Sequence, residues 1–506
     1  MSNQNILGVA LNLHDHNTYD GVFHNQLERH TRFKHNLPYH AEAYAHQSDI
    51  LNPADYRLND KFVKDYFKNQ NKNNVVFAFT YTYGGIRKAK EELFNTMLKG
   101  HDEILNYEPK KLWDYYLKDN IYYIDHHQSH ATYALLNSGQ SFSDILAIDG
   151  IGSKYRCVFF DKDENMTDLS DKLPIGWLWN HMSNLTGFGT LGASKLMGKV
   201  GYGKYSQYYY DVFETIFAGP ITEKKQTKFQ MINLDNINDL AYTLQKFTVD
   251  KIKEFVYPLK SCEHLCIAGG VAYNGYMNEE FTKHYKNVFV PPAVGDEGQA
   301  IGVYQHADLM LNNNIHKAET FAGNEYEFKG DEKVDYKKVA QAIADGKIVG
   351  WFQGKSESGN RALGNRSILA DPRNPDIKEI INNTIKLRED FRPFAPVVLE
   401  EHYKDYFDTR GGPSPYMSRI CNVKTKLVPG VTHVDNTARI QTINRNDNEK
   451  FYDIVNEFYK ITGIPMLLNT SFNCQEPIVE APHHALRTFR RTALDLLVIN
   501  DWIIRK

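Results

Sequence analysis

The chain has 506 residues and a formal charge of −3, from 59 Lys and Arg against 62 Asp and Glu. That length is about three times an average domain, which excludes a single small module. The even balance excludes a globally basic nucleic-acid coat but leaves room for a local basic groove. Hydrophobic residues at 42% and aromatics at 13% exclude a mostly disordered chain.

Short apolar, β-rich runs followed by polar or Gly-bearing turns predict strands at 5–12 (NILGVALN), 75–81, 121–124 and 145–148. Helical patterns fall between them at 86–98 and 129–136. Such alternation argues an α/β fold. A hairpin return is expected at 155–160, further strands at 264–268 and 288–290, and a long helix at 298–310. Residues 311–335, rich in Asn, Lys, Glu and Gly, predict a linker. Beyond it, a helix at 336–344 and a strand at 348–352 open about one further domain. Five Cys make no disulfide framework, and Cys262 and Cys266 around His264 are only a weak zinc pattern beside the plainer reading of small apolar residues near a strand. The opening MSNQNILGVALN lacks a basic leader, and no apolar run approaches the ~20 residues of a membrane span. A reducing, cytoplasmic compartment with no membrane contact is expected.

Three constellations carry chemistry. In the first, His126 and His130 stand four apart in Asp125-His126-His127-Gln128-Ser129-His130 and share one helix face. Neutral imidazoles so placed can ligate one divalent metal, while His127 faces elsewhere, free for contact with substrate. Asp149 ends a predicted strand and Asp296 lies in PPAVGDEG between strand and helix, where α/β sheets gather ligands. A His₂Asp₂ set with open positions suits Fe²⁺, Mn²⁺ or Zn²⁺. The alternative is packing histidines and capping or turn aspartates. In the second, Gly269 and Gly270, followed by Asn274 in AGGVAYN, form a turn that lets phosphate or ribose approach the backbone; a tight turn without ligand is the alternative. The third is cationic: GNRALGNRS (359–367), KLREDFRPFAP (386–396), HVDNTARIQ (433–441) and NTSFN (469–473) interleave Arg with Gly, Pro and Phe, unlike a solvated charge run. Arg forks bind phosphate in pairs of hydrogen bonds, and Ser and Asn can complete contacts to a small planar carbamoyl group.

These blocks, in this order and with KLMG (195–198), resemble the O-carbamoyltransferase family related to nodulation and antibiotic-tailoring enzymes, over nearly the whole chain. The resemblance implies a two-part enzyme. Residues 1–320 are similar to a threonylcarbamoyl-transferase-type domain of duplicated actin/Hsp70-like (RNase H-like) α/β fold with a metal site. Residues 321–506 resemble the YrdC-type α/β domain, which forms a carbamoyl-adenylate from ATP, with its Mg²⁺, and carbamoyl phosphate. Arg361, Arg366, Lys386, Arg392 and Arg439 are then expected at the donor and its phosphate, with Asn469 and Ser471 orienting the carbamoyl amide. The divalent metal, Fe²⁺ foremost, falls to His126, His130, Asp149 and Asp296. The adenosine falls to Gly269, Gly270 and Asn274, with Lys195 nearby. His14 is the candidate general base on the attacking hydroxyl; a structural strand-end histidine is its alternative. The acceptor expected is a hydroxyl of a small molecule, and the alternative a hydroxymethyl pyrimidine in DNA, suggested by an Asn-, Lys- and Tyr-rich composition. A non-catalytic nucleotide-binding protein of the same fold is the reading from another class, and a homodimer is compatible with either. His16-Asn17 and 199–203 (KVGYG) depart from the family pattern, which bears on the acceptor more than on the reaction.

Overall fold

The computed structural model describes residues 5–11, 17–22, 24–26, 75–81, 101–150, 152–189, 192–217, 232 and 234–506. The helix expected at 86–98 and the base candidate His14 lie outside the described residues. The described residues form three sheets.

The first sheet contains β1 (Asn5–Leu11), β2 (Asn17–Tyr19), β3 (His24–Gln26), β4 (Val75–Tyr81), β5 (Tyr116–Lys118) and β6 (Ile121–Tyr123), in the order β3-β2-β1-β4-β6-β5. Strands β1, β2 and β3 form an antiparallel meander, and β4 and then β6 add in parallel on the open side of β1. The second sheet contains β7 (Asp144–Ile148), β8 (Cys157–Phe160), β9 (Met166–Asp168), β10 (His264–Ala268) and β11 (Asn287–Phe289), in the order β11-β10-β7-β8-β9. It has the same pairing: an antiparallel meander β7-β8-β9 with β10 and β11 added in parallel on β7.

Helices α1 (His126–Ser138) and α2 (Gln299–Asn312) lie against each other, α1 touching β7 and β10, α2 touching β1, β2 and β4. Glycine permits the close approach of α2 to both neighbours. A Cβ on Gly302 of α2 would sit 2.1 Å from Ser129 O of α1, and one on Gly8 of β1 would sit 2.2 Å from Ala300 O of α2. The start of α1 is set by a capping box: Asp125 accepts the His127 amide at 2.8 Å and Gln128 Oε1 accepts the Asp125 amide at 2.9 Å. Gly139, left-handed at φ 75°, ends it. Leu146, Phe159, Leu178, Leu244, Phe247 and Ile267 belong to the core around the second sheet.

The C-terminal part is a ten-stranded sheet in the order β12-β21-β20-β13-β14-β19-β15-β18-β17-β16. Its strands are β12 (Glu332–Lys333), β13 (Val349–Phe352), β14 (Arg366–Ala370), β15 (Ala395–Leu399), β16 (Phe407–Asp408), β17 (Arg419–Val423), β18 (Thr437–Ile443), β19 (Met466–Ser471), β20 (Leu496–Ile499) and β21 (Trp502–Arg505). Helices α3 (Tyr336–Ala344) and α4 (Glu449–Thr462) pack together through apolar stripes, Val339, Ala340 and Ile343 against Phe451, Ile454, Val455 and Phe458 in one core with Trp351 and Leu467. The expected linker begins with the last two residues of α2 and is otherwise irregular apart from β12, but it is tied down: Ala322 O accepts the His24 amide at 2.9 Å, and Tyr326 O accepts Asn500 Nδ2 at 2.9 Å. Among the described residues, no helix is long and apolar enough to cross a membrane.

Candidate metal centre and anion pocket

Three structural ends meet at the first constellation: the first turn of α1, the end of β7, and the short 3₁₀ turn Asp296–Gly298 ahead of α2. His126 Nε2 lies 3.6 Å from Asp149 Oδ2 and 3.4 Å from Asp296 Oδ1. His130 Nε2 lies 3.3 and 3.5 Å from the same two oxygens. Metal–ligand bonds of ~2.1 Å at tetrahedral angles put ligand atoms about 3.4 Å apart, so the donor set fits one cation. Both histidines are fully buried, and His126 Nε2 has no hydrogen-bond partner. Among the described residues this is the single cluster of metal-ligating type, so the 262–266 segment forms none. Burial opposes the Asp149 carboxylate, but the neighbouring His126 and His130 imidazoles hold it well below the usual range. Burial likewise opposes the His130 cation, yet Asp149 and Asp296 lift it to about 9.

Gln299, which the sequence reading passed over, supports the pair: its side-chain amide lies 2.7 Å from His126 Nδ1 and 3.0 Å from His130 Nε2. At His126 Nδ1, the nitrogen turned away from the two carboxylates, this contact fixes ring orientation, whereas at His130 it falls on the nitrogen that faces Asp149 and Asp296. Its signal was its place at the first turn of a helix directly after Asp296. His127 is fully buried with neither ring nitrogen hydrogen-bonded, against Gly152, where a Cβ would sit 2.5 Å from its Cε1.

The glycine turn leaves β10 beside this cluster. Gly269 has φ 92°, and a Cβ there would stand 2.2 Å from Ile148 O. The Gly270 amide donates to Asp149 Oδ2 at 3.0 Å, so the turn also orients that carboxylate. Asn274 has a different task from the one expected. Its Oδ1 caps the following helix by accepting the Met277 amide at 3.0 Å, and its Nδ2 donates to Gln245 at 2.8 Å, so both ends of the amide are engaged. Lys195 pairs with Glu389 at 2.8 Å, joining the N-terminal part to the cationic segment.

In the cationic pocket, Arg361, Arg392 and Arg439 come together with Arg388, which sequence reasoning quoted but did not single out. Burial, then the charges of Arg361, Arg388 and Arg392, push Arg439 well below the usual guanidinium value. Burial and then Arg392 push Arg388 down to about 9. Arg439 Nε is buried with no hydrogen-bond partner. Arg392 pairs with Glu389 at 3.7 Å, a carboxylate shared with Lys195 that also acts on Arg388, and Glu297 offsets part of the charge of Arg361. Lys386, 1% exposed, donates to Asn473 Oδ1 at 2.7 Å, to Ser471 Oγ at 3.2 Å and, in a short bond, to Ser471 O. Burial and then Arg388 hold its amine well below the usual lysine value. Asn473 was also missed; its signal was the alternate-residue spacing from Ser471, matched by Lys386 and Arg388. Asn469 donates to Ala362 O and Gln441 Oε1, leaving a buried Oδ1 without a partner.

Arg366 does not join this group. It is fully buried, donates to the backbone carbonyls of Gln353, Asn365, Gly354 and Asn324 at 2.6–3.2 Å, and stacks 3.7 Å above Phe352. The expected phosphate ligand is a structural arginine that holds the pocket loop to the sheet.

The family model described as Carbamoyltransferase C-terminus matches residues 340–506, and that described as Carbamoyltransferase N-terminus matches 223–304. The chain is 32% identical to an uncharacterized Synechocystis protein over 76% of each chain. It is 33% identical to nodulation protein NolNO of Sinorhizobium fredii over 76% of this chain and 64% of that one. With nodulation protein NolO of Bradyrhizobium diazoefficiens the identity is 31% over 76% of this chain and 79% of the relative. Matched at both parts by these family models and along most of its length by such relatives, the chain belongs to the carbamoyltransferase family.

Proposed function

We propose that this carbamoyltransferase is ATP-dependent and acts on a hydroxyl of a small molecule. Carbamoyl phosphate and water give carbamate and phosphate. A carbamate oxygen attacks the α-phosphorus of ATP, and pyrophosphate leaves. The acceptor oxygen then attacks the carbonyl carbon of the carbamoyl-adenylate, releasing AMP and a proton. The observation that carries this reading is the half-buried cluster Arg361, Arg388, Arg392 and Arg439, whose like charges hold Arg439 and Arg388 below the usual guanidinium value, beside the buried Lys386. Such an excess of positive charge, partly drawn out of water, is made favourable by a bound polyanion.

In this reading Lys386 and the four arginines hold donor phosphate and the developing charge at the α-phosphate. Asn469 accepts from the carbamoyl amide through its unpartnered Oδ1, with Ser471 alongside. Gly269 and Gly270 admit adenosine to the backbone, with Lys195 near the nucleotide. His126, His130, Asp149 and Asp296 hold a divalent metal, Fe²⁺ by preference, with Mn²⁺ and Zn²⁺ as the other fits to nitrogen and oxygen donors. When bound, the metal supplies Lewis-acid polarisation of a carbonyl or phosphate oxygen. His14 takes the acceptor proton.

The proposed domain division is 1–320 and 321–506. The shared meander-plus-two-parallel pairing of the first two sheets supports a duplicated actin/Hsp70-like N-terminal domain.

The test is mass spectrometry of nucleotides after pure protein meets ATP and carbamoyl phosphate without acceptor. Carbamoyl-adenylate with pyrophosphate is the expected product. Arg361→Ala abolishes it, whereas His130→Ala retains it and loses transfer. Full transfer activity in both variants overturns the site assignment. A panel of small alcohols beside hydroxymethylated DNA then decides the acceptor.

A further inference from the structure

The loop bearing Arg361 rests directly on the loop bearing Asp296. Gly359, at φ 94°, has no space for a side chain, since a Cβ would stand 2.5 Å from Pro292 O. Asn360 donates from Nδ2 to Glu297 Oε2 at 3.5 Å. Arg361 lies over Tyr273 of the glycine turn, 4.8 Å from the ring centre. Glu297, 3% exposed, follows Asp296 in the chain. Its Oε1 accepts the Gly295 amide at 3.1 Å and, in a short bond, the Tyr273 hydroxyl. Gly295 is required there, because a Cβ would lie 2.7 Å from Glu297 Oε2 and 3.2 Å from the Tyr273 ring. One buried carboxylate thus collects donors from the metal loop, the glycine turn and the pocket loop.

We propose that Glu297, with Tyr273 and Asn360, is a positioning unit that makes occupancy of the metal site and of the anion pocket depend on each other. The inference rests on the metal and donor readings above. An anion that draws on Arg361 changes what lies on the Tyr273 ring, and the Tyr273 hydroxyl is tied to the residue beside Asp296. A cation on Asp296 fixes the same backbone from the other side. Because the carboxylate has three hydrogen-bond donors and little freedom to yield, the loops shift together. Linkage is reciprocal, so each ligand tightens the other by the same factor. The consequence for the reaction is that donor is committed when the transfer site is loaded, limiting loss of activated carbamoyl to water.

The test is calorimetry on the full chain, titrating Mn²⁺ with and without carbamoyl phosphate and the reverse, with blanks for Mn²⁺ held by free carbamoyl phosphate. Wild type is expected to show a change in Kd of about fivefold or more, equal in both directions. Tyr273→Phe keeps the ring under Arg361 and removes only the hydroxyl. It is expected to bring the ratio close to 1 while each ligand alone binds within about threefold of wild type. Asn360→Ala is the second variant should the first fail to fold. A merely structural role lowers both affinities and leaves the ratio unchanged. Coupling absent in wild type, or intact in Tyr273→Phe, overturns the proposal. Absence of Mn²⁺ binding overturns the metal reading, absence of carbamoyl phosphate binding overturns the donor reading, and either removes this inference with it.

Discussion

Replacing Arg439 with Met removes a half-buried guanidinium whose buried Nε has no hydrogen-bond partner and which shares its surroundings with Arg361, Arg388 and Arg392. A guanidinium does not give up its proton in the working range, so the depression is a free-energy cost carried by the folded protein. Exchange of buried ions for apolar side chains of similar volume often stabilises by ~1–4 kcal/mol. Met fills most of the Arg volume, and Glu389 already offsets part of the cluster through Arg392, so ~1–2 kcal/mol is expected. At ~2–4 °C per kcal/mol for a unit of this size, the melting transition of the ten-stranded part rises by about 2–8 °C. Carbamoyl phosphate at a hundredfold excess over Kd adds about 2.7 kcal/mol to wild type, or about 5–11 °C. Arg439→Met should lose most of that increment. Thermal scanning of both proteins with and without carbamoyl phosphate therefore gives opposite signs, the variant more stable alone and less stabilised by ligand. A variant less stable than wild type without ligand, or one stabilised equally by it, refutes the assignment of this cluster to anion binding.

Other outcomes follow from the same geometry. His130→Ala removes one of four ligands and should drop bound metal to near background in elemental analysis, with the far-ultraviolet dichroism unchanged. Lys386 has a folded-state pKa below its unfolded value of about 10.4, so wild-type stability at this group rises with pH up to that value. The Tm difference of Lys386→Met minus wild type should therefore fall steadily as pH rises from 7 towards 10, and a flat difference contradicts the burial argument. Gly269→Ala forces a Cβ against Ile148 O in a left-handed conformation and should cost at least ~2 kcal/mol, read as a lowered Tm.

Local pattern placed many elements. The strands at 75–81 and 264–268 and the helix at 336–344 have the bounds expected from apolar runs and helical spacing, because each signal lies within one short segment. The helix at 129–136 is longer, His126–Ser138, since the Asp125 capping box extends it by a turn. Pairing was less visible. That β14 joins β13 to β19, or that β15 lies between β18 and β19, depends on contacts between strands up to about a hundred residues apart. The expected linker shows the same limit, because its composition reads as loose while its backbone carbonyls hold side chains of the C-terminal sheet.

The two Gly-Asn-Arg triplets separate what sequence and tertiary structure each decide. In the sequence 359–361 and 364–366 are the same word, and both arginines carry the same expectation. Glu357 gathers the amides of Leu363, Asn365 and Arg366 on one oxygen, and Gly364 turns at φ 124° against Phe451. The chain between the triplets is thereby folded back, sending Arg366 into β14 among carbonyls and leaving Arg361 on Tyr273 at the junction of the two loops. Residue type determined that each could bind an anion. Which one is left beside the other arginines was decided by where the rest of the chain satisfied its twin, a matter of hydrogen-bond partners far apart in sequence.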